Sequence, residues 1–191
     1  MNLILPENFD EKCAKFGECL RKFNAIHSLT NYDDLSEIIT DSIGGVKFIP
    51  KYPKIAIDIG SGAGFPAIFL AMVLNHTKWH LYEPIAKKAS FLTYAKVNLG
   101  LKNVEIHREK IENSLKFRAD LITSRAVMKT KNLVEICDGF YDSNTHFLLY
   151  KGSSVDDEIT EFRVKFTGAK TQVFNEENRN YLLISEISKP I

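Results

Sequence analysis

Cysteine is scarce: Cys13, Cys19 and Cys137 are the only three, and no C-x-x-C pair exists. An odd number without that spacing excludes a disulfide framework and a zinc finger. Cys13 and Cys19, six apart in a helical stretch, read as small buried apolar groups. Excess charge is lacking too, since 25 basic against 24 acidic side chains leave a net +1. The strongly basic balance typical of nucleic-acid binders is therefore missing, although a local basic patch would suffice. No apolar run approaches the roughly 20 residues a membrane helix needs. The opening MNLILPENFDEK lacks the basic start and long apolar stretch of a signal peptide, so a cytoplasmic location is expected. The histidines (His27, His76, His80, His107 and His146) are scattered without ligand spacing, and no metal is expected. There is no internal repeat and no low-complexity linker. What is present, 45% hydrophobic and 26% charged residues over 191 positions, is an ordinary globular mixture of single-domain size.

The first part reads as helical. Phe9, Cys13, Phe16, Leu20 and Phe23 recur every three or four residues, which makes one apolar stripe. Glu11, Lys15, Glu18 and Lys22 alternate in sign on the opposite side, as on a solvated face. Lys12, Lys15, Arg21 and Lys22 are the alternative there, as RNA contacts. A second helix is expected to start at Asp33 or Asp34, to turn Leu35, Ile38 and Ile39 inward, and to end at Gly44-Gly45. From residue 54 short apolar runs alternate with helical stretches. Strands are expected at 54–59, 79–82, 104–107, 120–123 and 145–150, and helices at 66–74, 84–98, 130–137 and 156–166. Segments 172–174 and 181–187 follow with only a loop between them, as an antiparallel hairpin. The fold class is thus α/β, a mostly parallel sheet with helices on both faces and a C-terminal antiparallel hairpin. Residues 1–50 form a helical N-terminal extension, and residues 51–191 the ligand-binding unit of one compact body.

The most informative segment is Asp58-Ile59-Gly60-Ser61-Gly62-Ala63-Gly64-Phe65-Pro66, between a strand and a helix. Glycines there allow a tight turn and close backbone approach to a ligand. A dinucleotide site wants its third glycine where Phe65 stands, and no Gly-Lys-Ser/Thr follows for a P-loop. The next strand ends at Glu83, 19 residues beyond Gly64, an acid placed to accept hydrogen bonds from both hydroxyls of a ribose. The D-x-G-x-G-x-G turn with this acid resembles the S-adenosylmethionine site of Rossmann-like class I methyltransferases.

More of the chain resembles one family. His27-Ser28-Leu29-Thr30, Asp41-Ser42, Phe65-Pro66, Lys87-Lys88-x-x-Phe91-Leu92, Lys110-Ile111-Glu112, Thr123-Ser124-Arg125-Ala126 and Tyr150-Lys151-Gly152 follow in the order seen in the RsmG (GidB) family. The resemblance covers nearly the whole chain. It implies methylation of guanine N7 in 16S ribosomal RNA of the small ribosomal subunit, with S-adenosyl-L-methionine as cofactor, no membrane partner and a monomeric state. By position it puts cofactor contacts on Gly60 and Phe65, with Ile111 and Glu112 beside the adenine. Asp58, Gly62, Gly64 and Glu83 complete the cofactor-binding set. Arg125, facing cofactor and substrate, and Asp41, touching substrate, are the catalytic candidates. Where the family has Asn, this chain has Ser28, and where the family has Arg-His it has Glu37-Ile38. Phe65 and Tyr150 are candidates for stacking on the target base. A methyltransferase of another substrate, a non-catalytic RNA-binding module of the same fold and, less well matched in its glycines, an NAD-dependent oxidoreductase stay open at this point.

Overall fold

A computed structural model describes residues 3–31, 34–177 and 179–187. Helix α1 (Phe9–His27) is followed by α2 (Ser36–Gly44) and a 3-10 turn (Gly45–Phe48). Then come β1 (Ile55–Ile59), α3 (Ala67–Val73), β2 (Lys78–Tyr82), α4 (Ala86–Asn98) and β3 (Val104–His107). After a short 3-10 turn (Ile111–Asn113) follow β4 (Leu121–Arg125), α5 (Thr130–Ile136), β5 (His146–Lys151), α6 (Val155–Lys165), β6 (Lys170–Glu176) and β7 (Arg179–Ser185). The seven strands lie in the order β3-β2-β1-β4-β5-β7-β6. The first five are parallel, and β7 inserts antiparallel between β5 and β6. The parallel strands, doubly wound fold and terminal hairpin are those expected. The strand order reverses between β1 and β4, and there the carboxyl ends open a crevice.

The sheet is buried on both faces, as parallel strands require. Successive residues feed opposite layers: Ala56, Leu121 and Leu148 pack toward α1, α3 and α4, while Ile57, Ile122 and Leu149 pack toward α5 and α6. The stripe of α1 lands on the first layer through rings. Phe16 meets Phe65, Phe69 and Phe91 edge-to-face at 5.5, 4.9 and 5.7 Å, and Phe23 meets Phe91 at 5.4 Å. Such pairs contribute about 0.5–1.5 kcal/mol each beyond area burial. No helix among the described residues is long and apolar enough to cross a membrane.

Element ends moved for local reasons. Asp120, expected to start a strand, instead accepts the N–H groups of Lys54 (2.8 Å) and Ile55 (3.0 Å), so its carboxylate caps β1 while β4 starts one residue later. Asp34 accepts from the backbone and hydroxyl of Ser36 at the start of α2, and Asp33 lies outside the described residues. The Gly44-Gly45 pair ends α2 without the left-handed turn a glycine stop would use, since φ is −56° and −64°. Space is the reason. A Cβ on Gly44 would lie 2.7 Å from the Tyr181 hydroxyl, and one on Gly45 2.6 Å from the Tyr150 hydroxyl. Tyr150 is buried and donates its hydroxyl to the Ser42 carbonyl at 2.5 Å, fastening α2 to β5. Expected as a stacking candidate for a base, it is a core residue instead.

Gly45→Ala should cost about 1–3 kcal/mol in urea denaturation, the usual penalty of overpacking. The same change made in a Tyr150→Phe background should cost less, because the colliding oxygen is gone. Equal costs in the two backgrounds would contradict the assigned contact.

Candidate functional site

The turn after β1 runs through Gly60, Gly62 and Gly64, all with positive φ (67°, 56° and 92°). Left-handed geometry is costly for residues with a Cβ, and crowding adds to it here. A Cβ on Gly60 would meet Val127 Cγ2 at 2.5 Å, and one on Gly64 would meet Ile68 Cγ1 at 2.8 Å. Gly60 thus lets the turn pass close under the loop after β4, while Gly64 lets α3 pack onto the turn and does not line the crevice. Four N–H groups of the turn are already committed. Gly60 and Ser61 both donate to the Tyr82 carbonyl (2.9 and 3.2 Å), Gly62 to Glu83 Oε2 (2.9 Å) and Gly64 to the Ser61 carbonyl (2.7 Å). With these four donors spent the turn has little to offer a phosphate, and it suits a ligand that approaches carbonyls and Cα atoms.

A cavity of about 620 Å³ opens against this turn, lined among others by Gly60, Gly62, Phe65, Glu83, Lys88 and Arg125. Glu83 is 3% exposed and holds the Gly62 N–H with one oxygen and the Ile85 N–H (2.8 Å) with the other. Each carboxylate oxygen keeps a further lone pair for a hydroxyl. A second lobe of about 170 Å³ shares Gly60, Pro84 and Val127 with the first and is walled by Ile111 and Glu112. Together they have the size and mix of apolar wall and few polar groups typical of a small-molecule site. The roof comes from the segment after α1, whose Leu29 and Thr30 border the cavity. The Asn24 carboxamide accepts both their N–H groups (2.6 and 3.0 Å) and donates to the Thr30 carbonyl (2.8 Å). Ser28 takes the left-handed conformation there (φ 48°), one that Asn adopts more readily than Ser.

Arg125, at the end of β4, sits on the cavity wall with its guanidinium 5.4 Å above the Phe65 ring. Its Nη1 is 3.7 Å from Asp41 Oδ2. Asp41 is gripped by Arg179, whose Nε reaches both carboxylate oxygens at 3.0 and 3.2 Å, and by the Tyr181 hydroxyl at 3.3 Å. Asp41 therefore lies not in the first cavity but in an adjoining one of about 390 Å³, and Arg179 borders both. Sequence reasoning missed Arg179, because nothing local marks a residue 138 positions from its partner. Lys151 is buried and pairs with Glu158 (2.6 Å), which in turn accepts the backbone and hydroxyl of Thr130 at the start of α5. That network braces the loop after β4 from behind.

Asp58 stands behind the turn rather than on the wall. It is 1% exposed and accepts the Thr123 hydroxyl at 2.6 Å. Burial pushes its carboxyl up to about 7, opposed by the Thr123 hydrogen bond and the nearby Arg125. Linear spacing also hid one encounter among the histidines: His80 Nδ1 and His107 Nε2 lie 2.9 Å apart across β2 and β3.

A family model described as GidB, rRNA small subunit methyltransferase G, matches residues 10–181. A ribosomal RNA small subunit methyltransferase G from Campylobacter hominis is 61% identical over 179 residues, covering 94% of each chain. One of the same name from Campylobacter fetus is 51% identical over 183 residues, with 96% of this chain and 98% of the relative covered. Among solved structures, an O-methyltransferase from Bacillus cereus in complex with SAH superposes with a TM-score of 0.68 at 14% identity, covering 92% of this chain and 91% of the other. A ribosomal protein L11 methylase from Lactobacillus delbrueckii gives 0.66 at 13% identity, with 80% and 79% covered. The class I methyltransferase fold is thereby shown.

The buried Asp58 makes stability depend on pH with a definite sign. Between the ordinary 3.8 and about 7 the folded chain binds a proton that the unfolded chain has lost. This group's contribution to stability is therefore present at low pH, falls as pH rises through that window, and levels off above it. Asp58→Asn keeps an acceptor for Thr123 without the charge. It should flatten the profile and, near pH 8, raise stability by about 1–3 kcal/mol in urea titrations of the ligand-free protein. A variant that loses stability near pH 8 would show that the carboxylate is held charged.

Proposed function

The chain belongs to the family of rRNA small subunit methyltransferase G, and from that premise we propose that it transfers the methyl group of S-adenosylmethionine to a guanine N7 of small-subunit 16S ribosomal RNA. The observation that carries the cofactor reading is the Glu83 carboxylate: buried, braced by two backbone N–H groups, and on the cavity wall beside a glycine turn whose own donors are spent. That wall suits a nucleoside without phosphates. Glu83 would accept from the two ribose hydroxyls, and Ile111 with Val127 would cover the faces of the adenine. Arg125 and Lys88 supply cations for the amino-acid carboxylate or an RNA phosphate.

When bound, this cofactor supplies an electrophilic methyl group on a positive sulfur. Guanine N7 already presents a lone pair, so the chain has no proton to remove before attack. In keeping with this, no histidine or cysteine lines the first cavity. The protein's work is alignment, an effect worth up to about 7–11 kcal/mol when reacting atoms are held in near-attack geometry. The base enters through the adjoining cavity, and Arg179 with Asp41 forms the partition it must pass. Asp41, one of few acids in reach, would balance positive charge developing on the purine. Phe65 supplies a flat apolar wall under Arg125. A ribosomal RNA substrate would put the site of action in the cytoplasm; no helix among the described residues is long and apolar enough to cross a membrane.

Purified chain, methyl-labelled cofactor and small ribosomal subunits or naked 16S RNA should give label in one guanine, recovered as N7-methylguanine. Label in protein or small molecules only would sink the RNA reading. Gly60→Asp should abolish cofactor binding in calorimetry, since its Cβ collides with Val127 and displaces the loop that walls both lobes, while the left-handed backbone is strained and a charge is added beside the cavity. Arg125→Ala should cut turnover by about tenfold or more, the loss expected for a charged hydrogen-bond partner. Unchanged turnover would remove it from the reaction.

A further inference from the structure

Neighbouring strands β2 and β3 place three potential ligands on one face of the sheet. His80 pairs in register with Glu105, and His107 follows Glu105 by two, so all three point the same way. His80 Nδ1 lies 2.9 Å from His107 Nε2. One oxygen of Glu105 is 3.8 Å from His80 Nδ1, and the other is 3.7 Å from His107 Nε2. Four-coordinate zinc, with metal–nitrogen distances of about 2.0–2.1 Å, sets its ligand atoms roughly 3.3–3.4 Å apart. Taking one ligand atom from each residue, all three lie within 4.8 Å of one another, so the half-exposed Glu105 carboxylate must swing inward to close the triangle to that spacing. We propose that His80, Glu105 and His107 form a binding site for a zinc-class divalent cation on the face of β2 and the edge strand β3, apart from the cofactor cavity.

Two further features fit. The rings are held in place: Phe117 packs on His80 and Tyr82 stacks on His107, each with centroids 4.5 Å apart. The site is open on one side, because the side chains of His80 and His107 are 8% and 17% exposed while that of Glu105 is 50% exposed. Burial holds His80 in its neutral form, with its pKa lowered to about 4. In the metal-free chain the two facing nitrogens share a proton, so one ring must shift to its other tautomer when the cation enters. No net proton is released if both rings are neutral. The opposing charge is Lys78, 3.3 Å from Glu105 Oε2, and it is 60% exposed and free to swing out. The cation would pin the edge strand, which runs directly into residues 109–112 at the second lobe of the cavity.

The test is zinc titration of the tag-free, full-length chain by calorimetry, with cobalt(II) absorption as the spectroscopic reading. The expected result is one equivalent bound per chain, intense visible bands of low-coordinate cobalt, and a Tm raised by about 5 °C or more at saturating metal. Glu105→Gln and His107→Ala should each weaken binding at least about tenfold and lose the cobalt bands. His76→Ala, which alters an exposed histidine elsewhere, should change nothing. Glu105→Gln touches a half-exposed side chain, and its melting curve without metal reports whether it folds. No stoichiometric binding by the native chain, or native-like binding by both Glu105→Gln and His107→Ala, would overturn the proposal.

Discussion

The end of β2 governs the crevice. One carbonyl, that of Tyr82, takes the N–H groups of both Gly60 and Ser61, and the adjacent Glu83 carboxylate takes that of Gly62. A buried backbone donor left unpaired costs about 1–3 kcal/mol, so three such bonds leave the turn little freedom. They set how far β1 projects past β2 and where Glu83 stands. They also bring Gly60 under Val127 with no room for a side chain. The depth of the cavity, the spent donors of its floor and the acid on its wall all follow from this one junction. The apolar strands below are what make the junction dry, and hence worth keeping.

Fold and site were unequally legible in the sequence. The parallel strands could be read because most are short apolar runs with Gly, Pro or Asn close at one end or both. Gly60, Gly62, Phe65 and Glu83 could be read as one ligand wall because they are close in sequence and their geometry is local. Asp58 shared that pattern yet turned its carboxylate inward to Thr123, a choice made by the neighbouring strand. The partnerships Asp41–Arg179 and His80–His107 depend on strand register and on which strand inserts where, and no local spacing encodes either. Tyr150 was legible as apolar but not as the clamp on α2, because its hydroxyl acts across 108 residues of chain. The two glycines at the end of α2 carried a true boundary for an unexpected reason, the room demanded by that same hydroxyl and by the one on Tyr181.

The amino-terminal helix contributes more than cover. Its rings continue into Phe65, which is both a core residue and a cavity wall, so packing on α1 reaches the site with no polar intermediary. Its last turn supplies Asn24, which shapes the roof over Leu29 and Thr30. Lys87 of α4 ties the same segment down by donating to the His27 carbonyl at 2.8 Å. Ser28 completes that roof in a left-handed conformation.

The placement of β7 ties closure of the sheet to the site. This strand must slot between β5 and β6, and it alone brings Arg179 to Asp41. Without β7 the two hollows have no Arg179 between them, and the Asp41 carboxylate loses the guanidinium that reaches both its oxygens. Closing the sheet on its antiparallel side and walling off the second hollow are therefore one and the same step of assembly.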